Sequence, residues 1–412
     1  MAARVIEIDL ARPLAPIPTS RKYAAYWCLI RFGHRPIGWV RFRRAIVGDF
    51  IQPDYLQSLI AEQIGPQTID AIHHGPQLCN EPPYTPPISV VICTREHPDQ
   101  LLAQLKSLRH SIYPEWEVIV VDNAPVTNRT HFICKEYFHG VRYIVEPRKG
   151  LDYARNTGWQ NARFPIVAYT DDDAYVDPYW LRSLAQPFRD TRVNCVTGIT
   201  FPMELETAAQ EHFEKYGGMQ RGFTRRVYKP GTWSPFYPLG SGRFGAGVNL
   251  SLRKSTLEAM GGFDNALDVG SIARGGGDLD IMARTIRDGG HLVYEPAAIV
   301  WHQHRKTMKA LRKQMFDYGY GFCAYVAKYS HDLELGNQSV RMLKKWTKEW
   351  AYRRLRKNFR LATRGRHHFP VHLILIEILG GILGLRAYKR SVQHVQSVAL
   401  QNRYPARREK AA

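Results

Sequence analysis

The most constraining feature of this sequence is an apolar run that ends in three consecutive aspartates. Ile166 to Thr170 has the composition of a buried β-strand, and Asp171, Asp172 and Asp173 follow it directly. Adjacent carboxylates repel one another, and a hard divalent cation with oxygen ligands would relieve that repulsion. An acidic turn after a strand is the simpler explanation, because aspartate is common in turns. The other segments of the chain provide the evidence that distinguishes a metal site from an acidic turn.

The composition indicates a folded protein with a polyanionic partner. The 412 residues, 44% apolar and 23% charged, suffice for two or three domains. The formal net charge of +20 leaves nucleic acid, an anionic membrane surface and phosphorylated substrates open as partners. The six cysteines are scattered without a Cys-x-x-Cys pair, which argues against a zinc module and a disulfide scaffold. Free thiols suit a reducing compartment, and Met1 to Ser20 lacks the apolar core of a signal peptide, so we expect a cytoplasmic protein.

A proline-rich linker divides the chain. Residues 1–84 are expected to form a small accessory region, with a hairpin between Tyr26 and Val40 and a short amphipathic helix from Asp54 to Ile64. The linker contains Gly75-Pro76, Pro82-Pro83 and Pro86-Pro87. We expect the main domain at residues 85–305 and a helical extension at residues 306–412.

Short apolar runs alternate with helix-like segments at the start of the main domain. The expected strands are Ile88–Cys93, Trp116–Val121, Val141–Val145 and Ile166–Thr170, and the expected helices are Asp99–His110, Thr130–Phe138 and Leu151–Ala162. This alternation predicts βαβ units and a mostly parallel sheet. Ligands of such sheets bind beyond the carboxyl ends of the strands. Because three polar clusters follow strands, we expect them to form one site: Thr94-Arg95-Glu96, Asp122-Asn123 and Asp171-Asp172-Asp173.

The second half of the main domain has a less regular pattern. A strand is expected at Val193–Thr200, a long functional loop at Gly217–Gly247 and a further strand at Val248–Leu252. A helix is expected to begin at the run Gly275-Gly276-Gly277 and to end near Asp288. The last expected strands are His291–Tyr294 and Ala298–Val300, just before Trp301-His302-Gln303-His304.

The C-terminal region combines a basic segment with an apolar one. Basic residues crowd Arg341–Arg366, where Met342, Trp346 and Trp350 recur four residues apart. This pattern predicts a basic amphipathic helix on a membrane surface. The apolar run Val371–Leu385 is shorter than the roughly 20 residues that span a bilayer, so we expect an interfacial or re-entrant segment. A buried core helix beside a solvated charged face is the alternative.

Five segments in order resemble an inverting glycosyltransferase of family 2 with the GT-A fold. They are Val90–Arg95, Val120–Asn123, Gly150–Gly158, the strand ending in Asp171-Asp172-Asp173, and Gly276-Gly277-Asp278-Leu279-Asp280 through Arg284. The resemblance covers Ile88 to His304. It implies an α/β protein with a Rossmann-like, mostly parallel mixed sheet flanked by helices. It also implies metal-dependent transfer of a sugar from a nucleotide-diphospho-sugar to an acceptor hydroxyl.

The resemblance assigns the donor side of the site. Asp171 and Asp173 would bind Mn²⁺ or Mg²⁺ together with His302, unless His302 is an ordinary surface histidine; His304 would share its face if the strand continued. The base and ribose pocket would be lined by Thr94, Arg95, Glu96 and Asp122. Asp172 and Tyr169 could turn toward the nucleoside. Arg155 would approach the phosphates, or alternatively pair with Asp152 or a nearby acid.

The resemblance also assigns a general base and an acceptor side. Asp278 occupies the position of the catalytic aspartate, whose role is worth roughly 10²–10⁴ in rate. Asp280 is the alternative base, and an aspartate that caps the helix is compatible with either role. The glutamate that usually precedes the base is Gly277 here, so the acceptor contact that it supports is missing from the motif. The acceptor side would include Gly247, Asn249 and Trp233, with Phe236 and Tyr237 nearby as stacking or loop-core aromatics.

We therefore expect a glycosyltransferase of polysaccharide or glycolipid assembly, with a saccharide or lipid-linked acceptor, at the cytoplasmic face of an anionic membrane. A nucleotidyltransferase of similar fold would need a Gly-rich, Lys-bearing phosphate loop, which Thr94-Arg95-Glu96-His97-Pro98 is not. A nucleic-acid-binding protein would need basic residues interleaved with aromatics in a recognisable module. The positive charge is heaviest beside an apolar segment, which fits a membrane better, so we expect no nucleic-acid partner.

Overall fold

The N-terminal part is a small sheet with one long helix, in a computed structural model that describes residues 2–44, 49–79, 83–137, 140–231, 236–364 and 369–403. Its strands are β1 (Ala3–Asp9), β2 (Ile17–Pro18), β3 (Ala25–Phe32), β4 (Arg35–Arg43) and β5 (Phe50–Ile51). β3 and β4 form the predicted antiparallel hairpin, and β1 pairs with β3 in parallel. β2 pairs with β5 in a separate ribbon.

Helix α1 (Pro53–Cys79) is longer than the sequence predicted. It has non-helical dihedral angles at Ile64 (φ −140°, ψ 23°), so a kink lies where the predicted helix ends. The second half of α1 continues through Gly75-Pro76, which the sequence pattern assigns to the linker. The expected linker is therefore shorter than predicted, and Pro82 lies outside the described residues.

The main domain begins with the predicted alternation of strands and helices. These elements are β6 (Ile88–Thr94), α2 (Pro98–Leu108), β7 (Trp116–Asn123), α3 (Arg129–Tyr137), β8 (Val141–Glu146), α4 (Leu151–Gln160) and β9 (Ile166–Asp171). They are followed by β10 (Ala174–Val176), α5 (Trp180–Ala185), β11 (Val193–Pro202), α6 (Ala208–Tyr216), β12 (Arg226–Tyr228), β13 (Leu250–Arg253), α7 (Lys254–Met260), α8 (Gly277–Arg287) and β14 (His291–His302).

The central sheet has the strand order β10-β14-β11-β13-β9-β6-β7-β8, and β12 pairs with β14. β9, β6, β7 and β8 are parallel neighbours, whereas β13 runs antiparallel between β9 and β11. This mostly parallel mixed sheet with flanking helices is the α/β architecture that the sequence predicts. In the sheet register, Thr94 lies opposite Asp122 and Cys93 lies opposite Asp171. The polar residues that follow these strands therefore meet at one edge.

One long strand, β14, replaces the two short strands expected between His291 and Val300. Its parallel pairing with β11 shifts register between the pairs Gly198–Glu295 and Ile199–Ile299, so Pro296 lies in a bulge. Proline lacks the N–H that a regular ladder would require, which explains the interruption. Beyond the bulge the strand continues to His302.

Close helix–sheet packing explains one glycine of the motif Gly150–Gly158. Val91 lies on the sheet face that α4 covers, and a Cβ at Gly158 would overlap the Val91 side chain. A larger residue at 158 would therefore push α4, with Asp152 and Arg155, away from the sheet.

The N-terminal sheet packs against the central one. Leu29 of β3 shares a buried cluster with Ile199, Phe201 and Tyr294. Arg31 donates a hydrogen bond of 2.9 Å to Asp177, which follows β10. The boundary proposed near residue 84 stays a prediction, since these contacts join both sides of it.

Helices follow the sheet, as predicted for the C-terminal extension. They are α9 (Met308–Lys328), α10 (Gly336–Lys345), a π-helical stretch (Trp346–Arg353), α11 (Arg354–Thr363), α12 (Val371–Gly384) and α13 (Ala387–Arg403). α12 lies against α9 so closely that a Cβ at Gly319 or Gly380 would overlap backbone carbonyl oxygens of the facing helix. In the described part of the chain, no helix alone is long and apolar enough to cross a membrane. α12 and Ala387–Ala399, bent by 54°, meet that length and composition together.

Candidate active site

Three side chains predicted as metal ligands converge at the carboxyl edge of the sheet. Asp171 ends β9, Asp173 follows in the turn to β10, and His302 ends β14. The antiparallel pairing of Ala174 with His302 brings the last two together. One ligand atom from each of the three residues lies within 4.8 Å of the others. Two carboxylates and an imidazole nitrogen form a donor set that suits Mn²⁺ and accepts Mg²⁺.

The two carboxylates at this cluster differ in their electrostatics. Burial and the neighbouring Asp173 raise the pKa of Asp171 to about 7. Burial also acts on Asp173, but His302 and Arg305 outweigh it and lower the pKa of Asp173 to about 2. Burial opposes protonation of His302, yet Asp173 raises the pKa of its imidazole. A divalent cation among these groups would favour ionisation of both carboxylates.

Asp172 points away from its two neighbours. Its Oδ2 accepts a hydrogen bond of 2.6 Å from the hydroxyl of Thr94 and lies 3.2 Å from Nδ1 of His97. Asp172 therefore joins β9 to the end of β6, on the side predicted for the nucleoside. Tyr169, which could also have turned toward the nucleoside, does not point to that side. Its ring is buried in the core against Phe263 at a centroid distance of 5.2 Å.

Glu96 orders the loop after β7. Its carboxylate accepts hydrogen bonds from the N–H groups of Val126 (2.7 Å) and Thr127 (3.0 Å). The same loop accepts a bond of 3.4 Å from Nε of Arg95 to the carbonyl of Ala124. Arg95 and Glu96 thus lie together at the predicted pocket, and Glu96 shapes its wall.

Asp122 lies deeper than the prediction implies. It is buried at the carboxyl end of β7, where its Oδ2 accepts a 2.8 Å hydrogen bond from the hydroxyl of Tyr143. Burial raises the pKa of Asp122. Contact with a nucleotide base stays a prediction for this residue.

Arg155 is a buried cation between carboxylates. Its Nη1 donates to Oδ1 of Asp152 (2.8 Å) and to Oδ2 of Asp268 (2.6 Å), so the pairing alternative raised from the sequence is present. Its other terminal nitrogen faces Gly247, where a Cβ would lie 2.9 Å from Nη2. Gly247, predicted on the acceptor side, therefore belongs to the same site as Arg155.

Asp278 lies in the first turn of α8 and faces this cluster. Its Oδ2 accepts from the N–H of Gly247 at 2.9 Å, and its Oδ1 accepts from the N–H of Leu279 at 2.8 Å. Burial and the nearby Asp268 raise the pKa of Asp278, although Arg155 acts in the opposite direction. A raised pKa makes a carboxylate a stronger proton acceptor near neutral pH.

Asp280 occupies a different environment. It is fully buried, with Oδ2 bonded to Arg284 at 2.8 Å and Oδ1 bonded to the hydroxyl of Tyr329 at 2.6 Å. Lys328 also lies 2.7 Å from Oδ1. Asp280 is therefore paired with two cations, Lys328 and Arg284, which outweigh its burial and lower its pKa. Asp278 accepts only backbone N–H groups and has a raised pKa, so its environment suits a base better than that of Asp280 does.

The position of Asp152 explains why Gly277 stands where the family motif has a glutamate. A Cβ at Gly277 would overlap the carboxylate of Asp152. Asp152 is buried, and its Oδ2 has no hydrogen-bond partner among the described residues. A carboxylate from α4 thus fills the space that a side chain at 277 would need.

Asn249, predicted on the acceptor side, supports the sheet instead of facing the site. Its Nδ2 donates to the carbonyls of Ile199 (2.9 Å) and Ala298 (2.8 Å), at the bulge between β11 and β14. Its Oδ1 accepts from Nε1 of Trp180 at 2.9 Å. The amide is buried and fully bonded, so its role in the structure is to supply hydrogen bonds to these carbonyl groups at the bulge. Trp233 lies outside the described residues.

Two residues next to the candidate metal site (Asp171, Asp173 and His302) had no clear signal in the sequence. His304 lies behind His302, with its Nδ1 3.1 Å from Nδ1 of His302. Its Nε2 lies 2.8 Å from Oε1 of Glu214, which belongs to α6. Burial lowers the pKa of His304. Only the spacing of two between the histidines hinted at His304, and no motif marks Glu214.

Part of the chain is similar to known proteins. Residues 89–246 match the model of glycosyl transferase family 2. Over 228 residues the chain is 27% identical to the pre-mycofactocin glycosyltransferase of Mycobacterium tuberculosis, a match that covers 54% of this chain and 44% of that protein. Over 239 residues it is 26% identical to glycosyltransferase AglE of Haloferax volcanii, covering 56% of this chain and 71% of that protein. The chain therefore spans less than half of the mycobacterial relative.

A solved structure is also similar. It is a mannosyltransferase from Pyrobaculum calidifontis in complex with GDP-Man and Mn²⁺, with a TM-score of 0.47 and 16% identity over 82% of this chain and 97% of that chain.

Proposed function

We propose that this chain, of which residues 89–246 match the model of glycosyl transferase family 2, transfers a sugar from a nucleotide-diphospho-sugar to an acceptor hydroxyl with the help of a divalent metal ion. The observation that carries the proposal is the convergence of Asp171, Asp173 and His302 at the sheet edge. Asp278 and Arg155 both lie against Gly247, whose N–H donates to Oδ2 of Asp278 at 2.9 Å and where a Cβ would lie 2.9 Å from Nη2 of Arg155.

The residues at the sheet edge would bind the donor. Asp171, Asp173 and His302 would hold the ion, which when bound would offset the charge of the departing diphosphate. Asp172 and Thr94, already joined by a hydrogen bond of 2.6 Å, would line the nucleoside pocket with Glu96. The pocket wall is ordered before the donor binds, since Glu96 bonds the loop after β7.

Asp278 would accept the proton of the attacking hydroxyl. In a single displacement, the acceptor oxygen bonds to the anomeric carbon, the bond from that carbon to the diphosphate breaks, and the configuration inverts. The proton passes to a carboxylate oxygen of Asp278. The N–H groups of Gly247 and Leu279 hold that carboxylate in place without neutralising it.

The proposed place of action is an anionic membrane surface on its cytoplasmic side, in polysaccharide or glycolipid assembly with a saccharide or lipid-linked acceptor. Four exposed apolar side chains recur along one face of α12, namely Leu375, Leu379, Ile382 and Leu383. The opposite face packs on α9. Basic side chains are exposed on the preceding helical segment, at Arg341, Lys344, Lys348, Arg353, Arg356, Lys357 and Arg360. Apolar and basic surfaces side by side support contact with anionic lipid.

A donor screen tests the proposal. The full chain is heated in the presence of Mn²⁺ and single nucleotide sugars, and the unfolding temperature is recorded for each. The correct donor should raise it, because a ligand that binds only the folded state stabilises by mass action. The shift should vanish in EDTA and in Asp171→Asn. A panel in which no nucleotide sugar stabilises the protein, or a shift that survives EDTA, would contradict the proposal.

A further inference from the structure

A continuous chain of hydrogen bonds runs from the N-terminal sheet to the candidate metal site. Nε1 of Trp39, in β4, lies 2.8 Å from Oε1 of Gln220. Nε2 of Gln220 lies 3.3 Å from Oε2 of Glu214, whose Oε1 lies 2.8 Å from Nε2 of His304. Nδ1 of His304 lies 3.1 Å from Nδ1 of His302. Five side chains from four parts of the fold thus form a single path.

The direction of each bond in this path follows from the donors and acceptors that the side chains offer. The indole of Trp39 can only donate, so Gln220 accepts with its amide oxygen and donates with its nitrogen. The Glu214 carboxylate can only accept, so it takes one hydrogen bond from Gln220 and one from His304. Each carboxylate oxygen of Glu214 therefore accepts one hydrogen bond.

The same reasoning sets the proton positions on the two histidines. His304 must carry its hydrogen on Nε2 in order to donate to Glu214, which leaves Nδ1 of the neutral ring as an acceptor. His302 must then donate from Nδ1 to His304. The lone pair of His302 remains on Nε2, the atom that lies 3.4 Å from Oδ1 of Asp173. This is the nitrogen that a metal ion at the cluster would need.

We propose that Glu214 and His304 are positioning residues that hold His302 in the tautomer able to bind the metal ion, and that Trp39 extends this support to the N-terminal sheet through Gln220. Hydrogen bonds from a metal-bound histidine to an outer acceptor orient the ring and raise its basicity. The inference rests on the proposed function, because it assumes a metal ion at Asp171, Asp173 and His302.

Burial makes this support rigid. The side chain of His304 is 1% exposed and that of Glu214 is 3% exposed, so water cannot readily replace either partner. Phe213, beside Glu214 in α6, packs edge-on against the ring of His304 at a centroid distance of 4.7 Å. The N-terminal sheet, which no family motif covers, thereby acquires a role at the site.

Metal affinity tests the inference without a transfer assay. Mn²⁺ binding to the full chain is measured by calorimetry for wild type, Glu214→Ala and Glu211→Ala. Without Glu214, His304 is free to carry its hydrogen on Nδ1 and to force the His302 hydrogen onto Nε2. We expect Glu214→Ala to weaken Mn²⁺ binding about 10- to 100-fold. Glu211 also lies on α6 and pairs with Lys215 at 2.8 Å, so Glu211→Ala should leave the affinity unchanged. Equal affinity in wild type and Glu214→Ala would overturn the inference.

Trp39→Phe tests the outer end of the path. It keeps an aromatic ring but removes the N–H donor together with part of the indole. Trp27→Phe makes the same change in the neighbouring ring, at a centroid distance of 5.8 Å, without touching the path. We expect a smaller loss of Mn²⁺ affinity for Trp39→Phe than for Glu214→Ala, and none for Trp27→Phe. Unchanged affinity in Trp39→Phe would remove the N-terminal sheet from the proposal.

Nitrogen-15 NMR of the histidine rings reads the tautomers directly. With Mg²⁺ bound, His302 should carry its hydrogen on Nδ1 and His304 on Nε2. Hydrogen on Nδ1 of His304 would contradict the inference. Failure of the proposed function looks different: wild type would then show no Mn²⁺ binding that depends on Asp171.

Discussion

The backbone N–H of Gly247 donates a hydrogen bond of 2.9 Å to Oδ2 of Asp278. This contact ties the loop before β13 to the first turn of α8. It also explains the absence of a side chain at 247, because a Cβ there would lie 3.0 Å from Cβ of Asp278 and 2.9 Å from Nη2 of Arg155. The position of the proposed base thus depends on a glycine in a neighbouring loop.

Gly247→Ala should impair catalysis more than folding. The added methyl group would displace Asp278 or Arg155, and a misplacement of about 1 Å can lower the rate roughly 10²-fold. Gly242→Ala is a matched control, since a Cβ at 242 would meet only Leu279 Cδ2 at an ordinary 3.7 Å. Steady-state kinetics and thermal unfolding of both variants give the comparison. Equal kcat in the two variants would show that the Gly247–Asp278 contact has no bearing on the rate.

The pH dependence of kcat/KM should report the environment of Asp278. The base must be ionised to accept a proton. Burial and Asp268 raise the pKa of Asp278, so as the pH is lowered kcat/KM should begin to fall at a higher pH than an ordinary aspartate would give. Asp268→Asn removes a negative neighbour and leaves the charge of Arg155 less compensated. Both changes lower the pKa of Asp278, so the acid limb should move to lower pH. An acid limb that stays in place or moves upward would contradict this assignment.

Asp152 and Gly277 should be energetically coupled. Gly277→Ala would place a Cβ within the Asp152 carboxylate and should cost about 1–3 kcal/mol of unfolding free energy, as overpacking does. The cost should shrink in the Asp152→Ala background, where the space is vacant. Urea unfolding of the two single variants and the double variant completes the cycle. Additive effects would mean that the two positions do not compete for space.

The apolar face of α12 should govern membrane binding. Leu379 and Ile382 are 51% and 61% exposed, and the double variant Leu379→Gln/Ile382→Gln should bind anionic vesicles more weakly than wild type. Ile69→Gln and Phe132→Gln alter side chains that are 58% and 59% exposed elsewhere, and should change nothing. Vesicle co-sedimentation at matched salt measures the difference. Equal binding of the α12 variant and wild type would remove α12 from the membrane contact.

Local patterns in the sequence predicted most of the fold. Alternating apolar runs such as Ile88–Cys93 and Trp116–Val121 became parallel neighbours, and the clusters that follow them met at one edge, because parallel strands share that edge. Long-range pairing was not predictable in this way. β1 lies in parallel beside β3, and neither strand signals its partner. The kink in α1 at Ile64 marks the end of the amphipathic pattern, but the helix continues beyond it.

The sequence predicts those residues of the candidate site that lie in motifs. It does not reveal those that lie outside motifs. Asp171 and Asp173 follow a predicted strand, and the family resemblance assigns His302 to the same candidate site. Glu214 reaches His304 from 90 residues away, and Asp268 reaches Arg155 from 113 residues away, so only the folded chain reveals either contact. Asn249 shows the opposite case: its position suggests the acceptor side, but its amide bonds carbonyl groups at the bulge that contains Pro296.

The most direct test of the central claim is a comparison of Asp278→Asn with wild type in a Mn²⁺-dependent transfer assay with the donor found by the screen. Removing the base should lower kcat by about 10²–10⁴ while the donor still binds with near-wild-type affinity. Asp280→Asn should instead lower the unfolding temperature, because Asp280 is bonded to Arg284, Lys328 and Tyr329. Near-wild-type kcat in Asp278→Asn, with transfer lost in a stably folded Asp280→Asn, would contradict the account.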